Sequence, residues 1–444
     1  MKKNGGSGAL SRGFRMGKLG FSLMGSYLGY QAQNLILGED DRPQRQSRFR
    51  QKASRRVREE LGALKGPAMK LGQLLSMQDN ILPEETLAEL ANLQMHAPAM
   101  HASLARAQFK SALGKYPEEL FREFDPEPFA AASLGQVHRA ITLDGEKVAV
   151  KIQYPAIRSA IENDFKLLRS ATIPTRLTGH LPSALLDEIQ RGLLEETDYV
   201  READNLYFFR KGLGGLDYVT VPRAYRELST DRVLTMSFVE GGSFADFLKR
   251  KPSQTLRNLV GYRLLEMFEV QARVLKSLHA DQHPGNYIFQ PDGRIGLIDF
   301  GCVKRLSIDV LELRRWYRDR AWRESDAAAR QFLTMIYGNA VPFARARKIL
   351  PMLERMMDIM RPQGSKSEVV IDYRDSAGRK PELKEAVREY TIQVLRDKLI
   401  NPEFAFIMRA DMGLHHLLRE LNAHVNLTKL WEGFGDGPAG AHPF

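Results

Sequence analysis

Two aspartates and an asparagine stand at a spacing suited to one kind of chemistry. Asp281-Gln282-His283-Pro284-Gly285-Asn286 places an Asp five positions before an Asn, and thirteen residues later comes Asp299-Phe300-Gly301 at the end of an apolar strand pattern. Hard oxygen donors of this kind suit Mg2+, which bridges a carboxylate or amide oxygen to nucleotide phosphates. A further carboxylate, Asp281, can then orient an attacking hydroxyl or water. Upstream, Val148-Ala149-Val150-Lys151 closes an alternating apolar run and offers an ammonium for the phosphates. The expected chemistry is therefore handling of ATP or ADP with Mg2+: Asn286 and Asp299 on the metal, Lys151 on the phosphates, Asp281 as the catalytic carboxylate. Lys151 needs a carboxylate partner, and Glu202, in the run Glu195–Ala203, is the candidate. The same acids would equally serve as the wet face of a helix.

The elements that must carry these groups follow from hydrophobic period. Gln136–Thr142 and Lys147–Gln153 alternate and are joined by Asp144-Gly145, which predicts a hairpin. A second hairpin pairs Tyr287–Phe289 with Ile295–Ile298 across Pro291-Asp292-Gly293. Helix is predicted from about Arg48 to Lys115, over 156–171 and 183–212, and from Leu256 to Ala280, with short strands at Tyr218–Val221 and Arg232–Phe238. Beyond Leu306 everything reads as helix and loop. Four segments result: a basic arm 1–47, a helical extension 48–125, an α+β lobe 126–240 and a helical lobe 241–444.

Composition limits the alternatives. The 444 residues are 43% hydrophobic and 27% charged, the balance of a folded protein. One cysteine, Cys302, excludes an internal disulfide and a cysteine-based metal site, and suits a reducing compartment. The net charge of +11 is concentrated: residues 1–60 hold 13 Lys/Arg and 5 Asp/Glu. From Arg42 to Arg58 there are eight cations and no acid. No charge lies between Lys18 and Glu39, and glycines at 13, 17, 25 and 29 fall on a four-residue repeat, interrupted by Phe21, that shares one helix face. Three readings of the arm stand: a flexible tail, an interfacial helix with its basic block on anionic lipid headgroups, or a cleaved presequence. The glycine face could also pair two copies of the chain. Nucleic acid is a distant expectation, because no recognition module accompanies the basic arm.

The D-x-x-x-x-N and D-F-G segments, preceded by a V-A-V-K strand, follow the order used by protein kinases. Two departures matter. Where a kinase has the glycine-rich G-x-G-x-x-G over the phosphates, this chain has Ala130-Ala131-Ala132-Ser133, whose Cβ atoms restrict the backbone. Where a kinase has His-Arg before the catalytic Asp, this chain has His279-Ala280. With Lys70-Leu71-Gly72-Gln73 upstream, the whole set resembles the UbiB (AarF-domain) family of atypical kinase-like proteins, over roughly residues 50–420.

That resemblance implies a protein-kinase-like α+β fold, with a small β-rich N-lobe, a helical C-lobe and an N-terminal helical K-x-G-Q extension over the active site. It further implies that Lys70, Gly72 and Gln73 lie near the nucleotide and block a protein substrate. Glu196 and Asp198 would face the extension, and Glu202 would pair with Lys151. It implies an ATPase or small-molecule phosphotransferase that works at a membrane surface and supports ubiquinone metabolism, with quinone-precursor lipids and quinone-biosynthesis proteins as partners. The location implied is cytoplasmic and peripheral at a bacterial inner membrane, or the matrix face in a mitochondrion. Gln282 stands where the family more often has proline, and no apolar 20-mer ends the chain, so membrane contact is expected from the arm. Two other readings stand beside this one: a nucleotide-gated scaffold or lipid chaperone without chemistry, and a protein kinase acting in trans. Ala132→Gly is expected to let the lid approach the phosphates and to alter the ATP/ADP preference, measured by competition binding. An unchanged preference would make the alanines merely structural.

Overall fold

The computed structural model describes residues 100–132, 134–170, 183–338, 341–360, 370–373 and, with interruptions, 382–434. The arm, most of the extension with Lys70, Gly72 and Gln73, and Ser133 of the lid lie outside the described residues. In chain order the first elements are α1 (Ala102–Leu113), β1 (Phe121–Phe124), β2 (Ala130–Ala132), β3 (Gly135–Thr142) and β4 (Lys147–Gln153). Next come α2 (Ile157–Ser170), α3 (Ser183–Glu195), α4 (Tyr199–Gly212), β5 (Val219–Thr220) and β6 (Val233–Ser237). The later part holds α5 (Phe244–Lys249), α6 (Gln254–Glu269), β7 (Ser277–His279), β8 (Tyr287–Phe289), β9 (Ile295–Leu297) and β10 (Val303–Arg305). It ends with α7 (Val310–Asp319), α8 (Asp326–Tyr337), α9 (Leu350–Met360), β11 (Val370–Asp372), α10 (Pro402–Glu420) and β12 (His424–Asn426). The mixture of sheet and helix is the kinase-like α+β class expected. The chain divides into two compact units, one ending at Tyr199 and reclaiming Glu227–Thr235, the other comprising Val200–Arg226 and the chain from Met236.

The first unit is built on a sheet in the order β1-β3-β4-β6, with β2 also on β3. The predicted hairpin is present: β3 and β4 pair antiparallel from Gly135 opposite Gln153 to Ile141 opposite Lys147. Its turn bends at Gly145, whose φ of +88° is left-handed. The alanine segment is a correction. Ala130–Ala132 is a strand in register with Gly135–Val137, not a loop standing off the sheet. The hairpin tip is anchored by Leu134, buried against Ile157, Ile161, Phe165 and Leu193. Gly135 is required by space, since a Cβ on it would come within 2.3 Å of the Ile152 carbonyl oxygen.

The second unit carries the second hairpin, Tyr287 opposite Leu297 and Phe289 opposite Ile295, with β5 parallel to β9. Two further expectations need correction. The helix predicted over Leu256–Ala280 ends at Glu269, relaxes through a π-type turn at Val270–Val274 and gives way to β7. The pattern Ser277-Leu278-His279 is too short for period to separate helix from strand, and here strand pairing of β7 with β10 decides. The region beyond Leu306 is not purely helical, because β11 and β12 pair within it. Its core gathers Trp322, Phe332, Ile336, Ile349 and Phe404, with Trp322 stacked on Phe332 at 4.6 Å between centroids. Among the described residues no helix is long and apolar enough to cross a membrane.

Buried His138 on β3 bridges the first unit's loops. Its Nδ1 lies 2.9 Å from the Asp125 carbonyl and its Nε2 2.9 Å from the Gln136 amide nitrogen. The ring therefore donates from Nδ1 and accepts at Nε2, which is the neutral form, and burial pushes its pKa down. An unfolded histidine takes up a proton first, so this contribution to stability is complete above about pH 6.5 and declines as pH falls below it. Urea midpoints are expected to fall between about pH 7.5 and about pH 5.5, less steeply in His138→Asn.

Candidate active site

Within the first unit, β4 presents Lys151 with only 4% exposure, opposite Val137 of β3. Its ammonium lies 5.4 Å from the centroid of the Tyr199 ring. Gln153, two residues on and therefore on the same face of the strand, donates from Nε2 to the Thr197 carbonyl at 2.6 Å. Thr197 in turn donates from Oγ1 to the Leu194 carbonyl at 2.6 Å. Glu196-Thr197-Asp198 is thus a tight turn between α3 and α4, held against the end of the Lys151 strand. The predicted phosphate-gripping lysine and the Glu196/Asp198 pair come together in one unit. The uninterrupted helix predicted over 183–212 breaks here, because the turn's backbone bonds to β4 and, through Tyr199 N–H, to the Asp231 carbonyl at 3.3 Å.

Within the second unit, the two acidic segments are laced together through the backbone. β7 delivers His279, whose Nε2 lies 2.6 Å from the Asp299 carbonyl oxygen. A carbonyl only accepts, so Nε2 carries the proton. Burial lowers the His279 pKa, with Asp281 and Asp299 acting in the opposite direction. The His279 N–H donates to Gln271 Oε1 at 2.9 Å, which is what the π-type turn is shaped to provide. After β7 the loop is pinned again: Ala280 N–H donates to the Cys302 carbonyl at 2.9 Å, and Gln282 Nε2 donates to the His279 carbonyl at 2.6 Å. Buried Tyr287 donates its hydroxyl to Gln282 Oε1, and burial, with Asp281's charge, holds that phenol well above its ordinary pKa.

Asn286 closes the loop on Asp281. Its Nδ2 donates to the Asp281 carbonyl at 2.9 Å, and its own carbonyl accepts from Ile298 N–H at 3.0 Å. The reverse amide orientation would set oxygen against oxygen, so Oδ1 must face away from Asp281. No protein donor among the described residues reaches it. That orientation fits a residue that lends an oxygen to a cation. Asn286 stands opposite Ile298, the residue before Asp299, at the mouth of the hairpin. Asp299 Oδ1 accepts from Gly301 N–H at 3.0 Å, which orders the D-F-G turn. His283 orders the loop: its Nδ1 accepts from Gly285 N–H at 3.0 Å.

Phe300 is fully buried on Phe209, 4.9 Å between centroids, and on His279 at 5.5 Å. Its backbone is gripped from α4. Glu202 Oε1 accepts from Phe300 N–H at 3.3 Å, and Asn205 Nδ2 donates to Phe300 O at 3.0 Å. Glu202 is buried in the first turn of α4, where its charge is favoured by the helix dipole. Its expected partner Lys151 belongs to the first unit.

Sequence reasoning missed Gln271, Asn205 and, above all, residues of α10. Gly413 of α10 meets Gln282 so closely that a Cβ would come 2.7 Å from Gln282 Cβ. Arg409 Nη2 stands 3.5 Å from Asp281 Oδ1. Gly413 has no local signal, and Arg409 stands out only as a charge in an apolar helix with no partner named, because each acts on a loop far away in the chain.

Fold and site together define a kinase-like domain with its catalytic-loop, D-F-G and strand-lysine segments in order. The ABC1 atypical kinase-like domain matches residues 92–321, and the chain belongs to that family, the UbiB/AarF group whose motifs it carries. Mouse AarF domain-containing protein kinase 1 is 32% identical over 299 residues, 65% of this chain and 57% of that protein. ACTIVITY OF BC1 COMPLEX KINASE 7, chloroplastic, of Arabidopsis thaliana is 33% identical over 261 residues, 58% of this chain and 37% of that protein. The chain spans about half or less of the length of such relatives. Among solved structures, Rv3197 of Mycobacterium tuberculosis in complex with erythromycin resembles it with TM-score 0.56 and 29% identity, over 87% of this chain and 96% of that one.

Gly413→Ala is expected to cost about 1–3 kcal/mol in urea denaturation, because the loop backbone must yield to the new methyl. A variant as stable as the parent would show that the loop has slack at Gln282.

Proposed function

We propose that the protein is a Mg2+-dependent ATPase or small-molecule phosphotransferase acting at an anionic membrane surface in ubiquinone or related isoprenoid-lipid metabolism. The observation that carries the reading is the Asn286 amide, whose nitrogen is held by the Asp281 carbonyl while the residue's backbone carbonyl accepts from Ile298, the residue before Asp299. Asn286 and Asp299 would hold the cation, which supplies charge neutralisation for the phosphates. Lys151 supplies the cation for the phosphate oxygens of ATP, or of ADP. Asp281 orients the hydroxyl or water that attacks. Glu202 keeps Phe300 seated and so fixes where the Asp299 backbone can be. The Glu196-Thr197-Asp198 turn braces the lysine strand, and the Ala130–Ala132 strand forms the lid.

The membrane part of the reading is supported by the basic Arg42–Arg58 block, whose attraction to anionic headgroups falls with salt. Names that couple relatives to the BC1 complex suit a role beside quinone-dependent enzymes. The location proposed is the cytoplasmic face of a bacterial inner membrane.

A second reading is favoured by one finding, the erythromycin complex of the structurally similar mycobacterial protein. On this reading nucleotide gates binding of a bulky apolar ligand such as a macrolide or a polyprenyl lipid, and phosphate release is incidental.

Phosphate release from MgATP by the full chain separates the two. It is expected to rise with anionic vesicles and a quinone-precursor mimic, and to drop about 100-fold or more in Asp299→Asn while the fold is kept. Equal residual release in Asp299→Asn would overturn the enzymatic reading. Erythromycin binding without any turnover would favour the second.

A further inference from the structure

The catalytic loop has no cation of its own beside Asp281, whose neighbours are Ala280 and Gln282. The fold brings one from the far end of the chain. Arg409, on α10, places Nη2 3.5 Å from Asp281 Oδ1, with the two side chains only 18% and 13% exposed. Sequestered this far from water, a guanidinium and a carboxylate hold each other's place, and losing one partner leaves a poorly solvated charge. The surroundings make the contact matter. Asp281 and Asp299 both act on buried His279, and Arg409 is the opposing charge in that group.

The helix that carries Arg409 is itself held to the site. Gly413, one turn later and on the same face, lies against Gln282. At the helix start, Glu403 accepts from Ser307 N–H and from Ile308 N–H, the latter at 2.7 Å, so the helix is tied to the segment that follows β10. α10 therefore cannot shift without moving either the catalytic loop or that segment.

We propose that Arg409 is the positioning residue for Asp281, holding the carboxylate in the one orientation from which it can direct a hydroxyl or water. The inference rests on the phosphotransfer reading above. Its test is a double-mutant cycle on the full chain, read both as MgATP turnover and as urea midpoint. Arg409→Met is expected to lower kcat about 100-fold, the effect of misaiming a catalytic group, with KM for MgATP unchanged. Arg409→Lys should regain part of the loss. The Asp281→Asn/Arg409→Met double variant should be no slower than Asp281→Asn alone, because the arginine acts only through the aspartate. Its urea midpoint should lie above the value expected from adding the two single losses.

Wild-type kcat in Arg409→Met, beside a dead Asp281→Asn, would overturn the inference alone, as would strict additivity in both readouts. Absence of turnover in the unaltered chain would overturn the functional reading itself. If Arg409→Met does not fold, Arg409→Lys decides: reduced kcat at unchanged KM supports the role, and wild-type kcat refutes it.

Discussion

The Asp299 carbonyl oxygen accepts from His279 Nε2 at 2.6 Å while the His279 backbone is itself held by Gln271, so D-F-G and the catalytic loop are fastened to each other inside the core. Burial favours the neutral ring here. Burial lowers its pKa, and the proton that remains sits on the nitrogen facing the carbonyl. Protonated, the ring would place an uncompensated proton on buried Nδ1, which has no partner among the described residues. The Asp281 and Asp299 segments both hang from this one frame. Asp281 follows β7 by two residues, Asp299 follows β9 by two, and Asn286 bridges them through backbone carbonyls.

The frame explains why the polar residues around the loop are buried. Gln271, Gln282 and His279 have almost no exposure, and each bonds to backbone groups of the loop. Buried amides of this kind specify one geometry, since any slip leaves a polar group without its bond. The apolar part of the same design is Phe300, seated on Phe209 and gripped by Glu202 and Asn205 from α4. Helix, loop and D-F-G then share one packing solution, and charge is added from outside it by α10.

The first unit solves a different problem: keeping an ammonium on a strand with little water around it. Lys151 lies over the Tyr199 ring, and its strand is tied to the Glu196-Thr197-Asp198 turn by Gln153. The alanines of β2 pair with β3 across a tip whose leucine is buried, which makes the lid part of the sheet. A lid of this construction owes its stiffness to backbone pairing, whereas a glycine-rich loop leaves the backbone free to close.

How much was legible without coordinates depends on range. The two hairpins were legible, with their turn glycines, because alternation and turn chemistry are local. Asp281, Asn286, Asp299 and Lys151 stood out as candidates in the same way, because their residue types and spacing already suggest a hairpin-and-loop geometry. The end of the helix within 256–280 was not legible, since the three-residue strand at Ser277–His279 is too short to show a period and is decided by its pairing with β10. The role of Arg409 was not legible either: its position in an apolar helix marks it as unusual, but nothing in the local pattern names a partner. The amino-acid order by itself determined which groups are available for phosphate and metal chemistry. Tertiary structure alone decided which of them are aimed, because the atoms that aim them come from α4, the π-type turn and α10, brought together only by packing.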